Sequence, residues 1–121
     1  MKQVAVLGST GSIGTNCLQV LDALPERLSL AGVTAHRRWQ ELAQQTQTAH
    51  PRWAVVTDES LRAEVDRTAF SSKTELLFGE SGTERLCSAP EVDVVVSAIV
   101  GAAGLRGTWV ALECGKTAVN G

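Results

Sequence analysis

The sequence predicts an α/β fold of the Rossmann type, in which helices cover both faces of a parallel sheet. Two observations predict this fold class. Strand-like and helix-like segments alternate with short connections along the chain, and a parallel sheet needs such crossovers between successive strands. The first strand is also followed by three glycines at three-residue intervals, Gly8, Gly11 and Gly14, a spacing typical of a tight strand-to-helix turn. We therefore expect residues 1–121 to form one domain.

The first three elements follow from hydrophobic periodicity and from the residues that bound them. A short apolar run predicts a strand over Val4–Leu7. Apolar residues at helical spacing predict a helix over Ser12–Leu24, which Pro25 ends. The next run, Leu28–Ala35, alternates with small residues and is typical of a second strand.

The middle of the chain continues the same alternation. A polar segment predicts a helix over Arg38–Thr48, closed by Pro51. Trp53–Val56 is expected to be the third strand. Asp58 is expected to cap a further helix over Glu59–Ala69, because aspartate is favoured at helix N-caps.

The last third of the chain predicts a short strand over Glu75–Phe78, a helix over Ser81–Ala89 and a strand over Val92–Ser97. From its third residue onward this last strand is apolar or small without a break, so we expect it to be buried on both faces. A final helix over Gly101–Cys114 precedes another strand that begins at Lys116.

Bulk properties restrict the class of protein. A length of 121 residues suits one domain with a single sizeable core. With 44% hydrophobic and 20% charged residues, the composition is that of a soluble globular protein. A net charge of −2 gives no general electrostatic reason for nucleic-acid or membrane partners. We see no apolar stretch of the roughly 20 residues that a transmembrane helix needs and no signal peptide, so we expect a cytoplasmic protein.

The cysteines and tryptophans are expected to serve packing. The three cysteines are scattered, and no C-x-x-C spacing suggests zinc or redox chemistry. We expect small buried apolar roles for the cysteines and core or helix-packing roles for the tryptophans. These residues are Cys17, Cys87, Cys114, Trp39, Trp53 and Trp109.

The glycine turn predicts a phosphate-binding corner. Gly8 supplies the sharp turn, Gly11 removes a Cβ that would collide with a pyrophosphate, and Gly14 lets the helix lie close to the sheet. The N–H groups of the first helical turn then face the anion, helped by the helix dipole. Thr10 and Ser12 add hydroxyl donors. The alternative is an ordinary strand-to-helix turn with packing glycines.

The end of the second strand indicates which nucleotide would bind. NAD-selective domains place an acid there for the ribose 2′-hydroxyl, but here Ala35 is followed by His36, Arg37 and Arg38. A guanidinium pairs with phosphate in a bidentate way that a neutral hydroxyl cannot match. This argues for NADP(H), with the arginines on the 2′-phosphate, the histidine nearby and Ala35 also among the predicted cofactor-binding residues. The alternative is a solvated basic helix start.

The segment Ser97–Gly104 places small residues at the carboxyl end of a central strand. This position lies next to the expected nicotinamide, so Ile99 and Gly101 are predicted cofactor-binding residues. Close packing of helix on sheet is the alternative role, and both roles are compatible.

With these residues identified, the chain resembles the N-terminal, NADPH-binding domain of the 1-deoxy-D-xylulose 5-phosphate reductoisomerase family. The resemblance covers nearly all 121 residues in order, and the Ile-Val-Gly-Ala-Ala-Gly-Leu run is distinctive. The matching segments are Gly8–Gly14, Thr34–Arg38, Pro51–Val55, Ile99–Leu105 and Gly115–Thr117.

The resemblance implies an oxidoreductase that isomerises 1-deoxy-D-xylulose 5-phosphate and reduces the intermediate with NADPH to 2-C-methyl-D-erythritol 4-phosphate, in non-mevalonate isoprenoid synthesis. It implies a homodimer and a divalent cation (magnesium, manganese or cobalt) that acts as Lewis acid and template. The residues that it assigns to the cofactor phosphates are Thr10, Gly11, Ser12 and Ile13, with His36, Arg37 and Arg38 at the 2′-phosphate.

The sequence also departs from the family pattern at its end. In the family the last strand runs into an Ala-Asn-Lys-Glu segment that meets cofactor and substrate, whereas Asn120 here falls short of the family asparagine. The family's metal-holding carboxylates, substrate-phosphate groups and flexible lid lie beyond this point. We therefore expect neither catalytic nor metal-binding residues in this chain. We expect the catalytic and C-terminal domains of the family to lie outside these 121 residues, and we expect the chain to bind NADPH without turnover.

Other functions remain open. The cofactor domain of another NADP enzyme, such as aspartate-semialdehyde dehydrogenase, would need a nucleophilic cysteine in a later segment, and none of the three cysteines has such a setting. A short-chain dehydrogenase needs a Tyr-x-x-x-Lys pair, and this chain has no tyrosine. A non-enzymatic NADP-sensing module and a folded chain that binds nothing are the remaining alternatives.

Overall fold

A computed structural model of the chain describes residues 1–99 and 102–120, with the backbone alone over 102–106. Strands and helices alternate as the sequence predicts, except between Val56 and Glu75, where no α-helix forms. The strands are β1 Lys2–Leu7, β2 Leu28–Ala35, β3 Trp53–Val56, β4 Glu75–Phe78, β5 Val94–Ser97 and β6 Thr117–Asn120. The helices are α1 Ser12–Ala23, α2 Trp39–Ala49, α3 Gly79–Ser88 and α4 Ala102–Glu113.

The six strands form one parallel sheet in the order β4-β3-β2-β1-β5-β6. This confirms the predicted fold class. β1 lies between β2 and β5, and its last residue, Leu7, pairs with Thr34 on one side and Ser97 on the other. Three chain segments therefore end side by side at one edge of the sheet.

Helices cover both faces of the sheet. On one face α3 and α4 cover a core that includes Leu7, Leu86 and Val95. On the other face α2 packs on a core around Val33, and α1 packs on the smaller cluster around Val6. Since β1 and β3 bury residues toward both faces, the centre of the sheet has the continuous apolar sequence typical of parallel strands.

The expectation that β5 is buried on both faces was wrong. Val95 is fully buried beneath α3 and α4, but Val94 and Val96 on the opposite face are only half-buried. Val94 and Val96 border the small cluster under α1, and Val119 of the neighbouring strand β6 is 47% exposed on the sheet. An apolar sequence therefore does not by itself establish that a helix covers it.

The helix expected over Glu59–Ala69 was also wrong. The structure has two single-turn 3-10 segments, Glu59–Leu61 and Arg67–Ala69. Asp58 does act as a cap, accepting from the Ser60 backbone N–H at 3.0 Å. Asp66 makes the same bond to the Thr68 N–H at 2.9 Å, so a second cap interrupts the segment where a helix would continue.

The packing expectations were right for two of the six cysteines and tryptophans, wrong for Cys114 and Trp109, and partly met for Cys17 and Trp39, which are half-buried. Cys87 and Trp53 are buried. Cys114 is exposed, and Trp109 on the outer side of α4 is 66% exposed. Burial raises the pKa of the Cys87 thiol to about 12, so this cysteine stays protonated and acts as a packing residue.

Over the described part of the chain, no helix combines the length and hydropathy needed to cross a membrane.

Candidate functional site

The candidate site lies at the carboxyl edge of the sheet, where β1, β2 and β5 end. The chain leaves β1 through α1 toward β2, while β5 lies on the opposite side of β1. In open parallel sheets, ligands bind in the crevice outside the carboxyl ends of the strands at such a switch point. The predicted glycine turn and the predicted small-residue segment are therefore brought together by the topology.

Gly8 and Gly14 are required by the fold of the turn. Gly8 has a φ of +77°, and a Cβ there would lie 2.8 Å from the Ile99 side chain. A Cβ at Gly14 would lie 2.6 Å from the Ser9 Cα and closer still to the Gly8 carbonyl oxygen. The predicted reasons for these two glycines, a sharp turn and a close approach of helix to strand, agree with this geometry.

Gly11 differs from its two neighbours in the motif. Its φ is −76°, which any residue adopts. Among the described residues, the nearest atom to a Cβ built there is the Gly8 carbonyl oxygen, at an ordinary 3.7 Å. The described part of the protein therefore leaves room for a side chain at this position. A role for Gly11 in sparing space for a ligand stays a prediction, and this free space is what such a role requires.

The N-terminus of α1 adjoins the turn and carries a partial positive charge from the helix dipole. No side chain of the described residues caps it, and its first turn contains no acidic residue. Thr10 is half-buried, whereas Ser12 and Ile13 are exposed beside it. The structure thus places these predicted phosphate-binding residues around one uncapped helix end, which is an arrangement suited to an anion.

Sequence reasoning missed a residue that holds the turn in place. Ser9 is fully buried, and its backbone N–H donates to the Thr34 carbonyl oxygen at 2.9 Å. The Ser9 hydroxyl donates to Gln45 Oε1 at 2.7 Å, and Gln45 Nε2 donates to the Ser9 carbonyl oxygen at 2.9 Å. One amide of α2 therefore satisfies two polar groups of the turn. The available signal was weak, because α2 is rich in glutamine.

The basic residues lie where the sequence predicts them, at the end of β2. Ala35 is buried, while the side chains of His36, Arg37 and Arg38 are 71%, 59% and 66% exposed. The three side chains therefore project from the carboxyl edge of the sheet into solvent.

Each of the three has a partner. Arg37 forms an ion pair with Asp58, which follows β3. His36 Nδ1 lies 2.9 Å from the Thr57 hydroxyl oxygen, and an Arg38 nitrogen lies 3.9 Å from Glu41. An acid is thus present at this edge, although it comes from β3 and not from the end of β2.

Asp58 is charged at neutral pH. The hydroxyl of Ser60 donates to its carboxylate, and this hydrogen bond is the main cause of a pKa below the ordinary value. The Ser60 backbone N–H and the Arg37 guanidinium lower the pKa further. Sequence reasoning identified Asp58 as a cap only, since nothing in the sequence shows that β2 and β3 are neighbours.

The segment after β5 contributes to the same corner. The Ala98 backbone N–H donates to the Leu7 carbonyl oxygen at 2.9 Å, and Ile99 lies against Gly8. Gly101 lies outside the described residues. Asn120 pairs with Ser97 in the sheet and accepts a hydrogen bond from the Thr108 hydroxyl at 3.1 Å. Ser97 and Asn120 are the last residues of β5 and β6, so both lie at the carboxyl edge.

No metal site emerges from the described ranges. Over residues 1–99 and 102–120, no three His, Cys, Asp or Glu side chains lie together so as to hold an ion. The expectation that metal ligands belong to another part of the family's structure stays a prediction.

Sheet order, glycine turn and uncapped helix end define a Rossmann-type α/β domain of the dinucleotide-binding class. Comparison with known sequences gives the family. The model of the 1-deoxy-D-xylulose 5-phosphate reductoisomerase family matches residues 4–119. The chain therefore belongs to the 1-deoxy-D-xylulose 5-phosphate reductoisomerase family, as the resemblance in its motifs predicts.

Individual relatives agree with this assignment. The chain is 45% identical over 117 residues to the reductoisomerase of Desulfosudis oleivorans and 41% identical over 116 residues to that of Laribacter hongkongensis. Each comparison covers 96% of this chain but 30% of the relative. The chain thus spans about a third of the length of the relatives it matches.

Solved structures show the same relationship. The fold matches 1-deoxy-D-xylulose 5-phosphate reductoisomerase from Zymomonas mobilis in complex with NADPH, with a TM-score of 0.88 and 31% identity over 98% of this chain and 31% of that one. It also matches a DOX-P reductoisomerase in complex with NADPH, fosmidomycin and magnesium, with a TM-score of 0.85 and 32% identity over 98% of this chain and 29% of that one.

Proposed function

We propose that this chain binds NADPH across the glycine turn, as the cofactor domain of an NADPH-dependent reductoisomerase. The observation that carries the proposal is the corner itself. An uncapped helix end lies beside Gly11, a position where the described fold would accommodate a Cβ. Basic side chains project from the neighbouring strand end. Two solved relatives are complexes with NADPH.

The residues have separate roles in this proposal. Thr10, Gly11, Ser12 and Ile13 bind the pyrophosphate through backbone and hydroxyl donors. His36, Arg37 and Arg38 bind the 2′-phosphate, and Ile99 and Gly101 border the nicotinamide end. These roles suit the residues, because a guanidinium offers paired N–H donors to a phosphate.

When bound, NADPH supplies the hydride for a reduction. This chain's own contribution is binding and orientation of the cofactor. We propose that the whole reductoisomerase isomerises and reduces 1-deoxy-D-xylulose 5-phosphate, with a divalent cation held outside these residues, as a cytoplasmic homodimer. The chain alone should bind NADPH without turning over that substrate.

The direct test titrates the purified chain with NADPH and with NADH by isothermal calorimetry. We expect saturable binding of NADPH with one site per chain and weaker binding of NADH. An assay of the chain with 1-deoxy-D-xylulose 5-phosphate, NADPH and magnesium should show no NADPH consumption. Equal affinities for the two dinucleotides would contradict the assignment of the arginines. Turnover would contradict the proposal that this chain binds NADPH but does not catalyse the reaction alone.

A further inference from the structure

We propose that Asp58 is a positioning residue that increases the selectivity of the site for a 2′-phosphorylated ribose by holding Arg37. Its carboxylate pairs with Arg37 and holds that guanidinium at the carboxyl edge of β2. This inference rests on the proposed function and adds a residue from a different strand to the nucleotide site.

The backbone places Asp58 opposite the basic residues. Beyond the last paired residues of β2 and β3, the Thr57 N–H donates to the Ala35 carbonyl oxygen at 2.9 Å, and the Asp58 N–H donates to the His36 carbonyl oxygen at 3.1 Å. The ladder between the strands therefore continues past both strand ends. It fixes the separation between Asp58 and Arg37.

The carboxylate is the fixed partner of the pair. Its Oδ1 accepts from the Ser60 hydroxyl at 2.6 Å and from the Ser60 N–H at 3.0 Å, while Oδ2 faces Arg37. The Asp58 side chain is only 17% exposed, compared with 59% for Arg37. A carboxylate held by two donors thus anchors a long and otherwise mobile cation.

Anchoring favours phosphate binding through entropy. The pair uses one terminal nitrogen of Arg37, and a guanidinium has five N–H donors, so others remain for a ligand. An arginine already held in place loses less rotamer freedom when it binds a phosphate. His36 Nε2 lies 4.0 Å from the same carboxylate oxygen, so Asp58 faces two of the three basic residues.

The effect should appear only with ligands that carry the 2′-phosphate. The probes are 2′,5′-ADP and 5′-AMP, which differ by this group and omit the nicotinamide half. In calorimetric titrations, Asp58→Asn should weaken 2′,5′-ADP and NADPH by about three- to tenfold, the size expected for immobilising one long side chain. Binding of 5′-AMP and NADH should stay unchanged.

Asp66 offers a matched control. It accepts from the Thr68 N–H at 2.9 Å and hydroxyl at 2.6 Å, as Asp58 does from Ser60. No ion pair to Asp66 occurs in the described part of the chain. Asp66→Asn should therefore lose a comparable carboxylate charge, while the asparagine oxygen still accepts both hydrogen bonds as an N-cap, and it should bind all four ligands as the wild type does.

A double-mutant cycle tests whether Asp58 acts through Arg37. In the Arg37→Ala background, Asp58→Asn should change the affinity for 2′,5′-ADP far less than it does in the wild type, because only the 4.0 Å contact with His36 remains. Ser60→Ala keeps the carboxylate but removes one of its anchors, so it should weaken 2′,5′-ADP in the same direction by a smaller factor. This variant keeps the test possible if Asp58→Asn does not fold.

Two results would overturn the inference while leaving NADPH binding intact. Tighter binding of 2′,5′-ADP by Asp58→Asn would show that the carboxylate competes with the phosphate for Arg37. Equal weakening of 2′,5′-ADP and 5′-AMP would show a structural role alone. A wild-type chain that binds none of the four ligands would instead overturn the proposed function, and this inference with it.

Discussion

Gln45 and Ser9 are joined by two hydrogen bonds, at 2.7 and 2.9 Å, although 36 residues separate them in the chain. Ser9 belongs to the turn after β1, and Gln45 lies in α2. The pair therefore ties the candidate phosphate-binding turn to a helix that packs on β2. Because Ser9 is fully buried, its carbonyl and hydroxyl groups have no water to replace this partner.

The first prediction concerns this pair. Gln45→Ala leaves the buried Ser9 hydroxyl and carbonyl with only their longer contacts, both 3.4 Å, to the Thr34 carbonyl oxygen and the Thr15 hydroxyl. Loss of the short hydrogen bonds of buried groups costs about 1–3 kcal/mol. We expect the free energy of unfolding, measured by urea denaturation, to fall by that amount. Gln44→Ala on the exposed side of the same helix is the control and should change it by less than about 0.5 kcal/mol. Equal effects of the two variants would contradict a specific role for the pair.

Gly11 and Gly14 should respond oppositely to the same substitution. Gly11→Ala meets no atom of the described residues closer than 3.7 Å and has an ordinary φ, so thermal unfolding should stay near that of the wild type while NADPH binding is lost. Gly14→Ala places a Cβ 2.6 Å from the Ser9 Cα and should lower the melting temperature strongly. Unimpaired NADPH binding by Gly11→Ala would remove the ligand-based reason for that glycine.

The two arginines after β2 should distinguish NADPH from NADH. Replacing Arg37 and Arg38 together by alanine removes charge-assisted hydrogen bonds to the 2′-phosphate and should raise the Kd for NADPH about tenfold or more. The Kd for NADH should change far less. Both Kd values are measured by fluorescence titration. Arg27 lies just before β2, at the opposite edge of the sheet, so Arg27→Ala serves as the control. An equal loss for both dinucleotides would show that the strand end is misassigned.

Asp58 should make stability depend on pH in acid. Its pKa in the folded chain lies below the ordinary 3.8, so its stabilising contribution is present above that value and is lost as pH falls through the folded pKa. Melting temperatures measured from pH 6 down to a pH below 3.8 should therefore fall more steeply for the wild type than for Asp58→Asn. Since Asp66 has a lowered pKa for the same reason, the double variant Asp58→Asn/Asp66→Asn should flatten the profile further. Parallel profiles would contradict this linkage.

The cysteines should differ in reactivity. Cys114 is exposed, whereas Cys87 is buried with its thiol pKa raised to about 12. A thiol reagent followed by mass spectrometry should label Cys114 first and Cys87 only on unfolding, because the thiolate is the reactive form. Cys114→Ser should remove the fast phase. Rapid labelling of Cys87 in the folded chain would show that the core beneath α3 and α4 opens in solution.

Local patterns predicted most elements because each depends on neighbouring residues. The strand at Leu28–Ala35 was predicted with the bounds that the structure has, since its alternation and flanking residues are local. The segment after Asp58 was mispredicted because Asp66 starts a second cap, and short polar caps compete with helix over a few residues. Exposure of Trp109 was missed because helical spacing does not say which side of α4 meets the sheet.

The fold class, the glycine turn and the basic strand end can be predicted from the sequence, because alternation, glycine spacing and charge are local patterns. The contacts of Gln45 with Ser9 and of Asp58 with Arg37 depend on the tertiary fold. The physical reason is strand order: the sheet places β3 beside β2 and α2 over them, so the partners come from segments distant in the chain. No local pattern carries that adjacency.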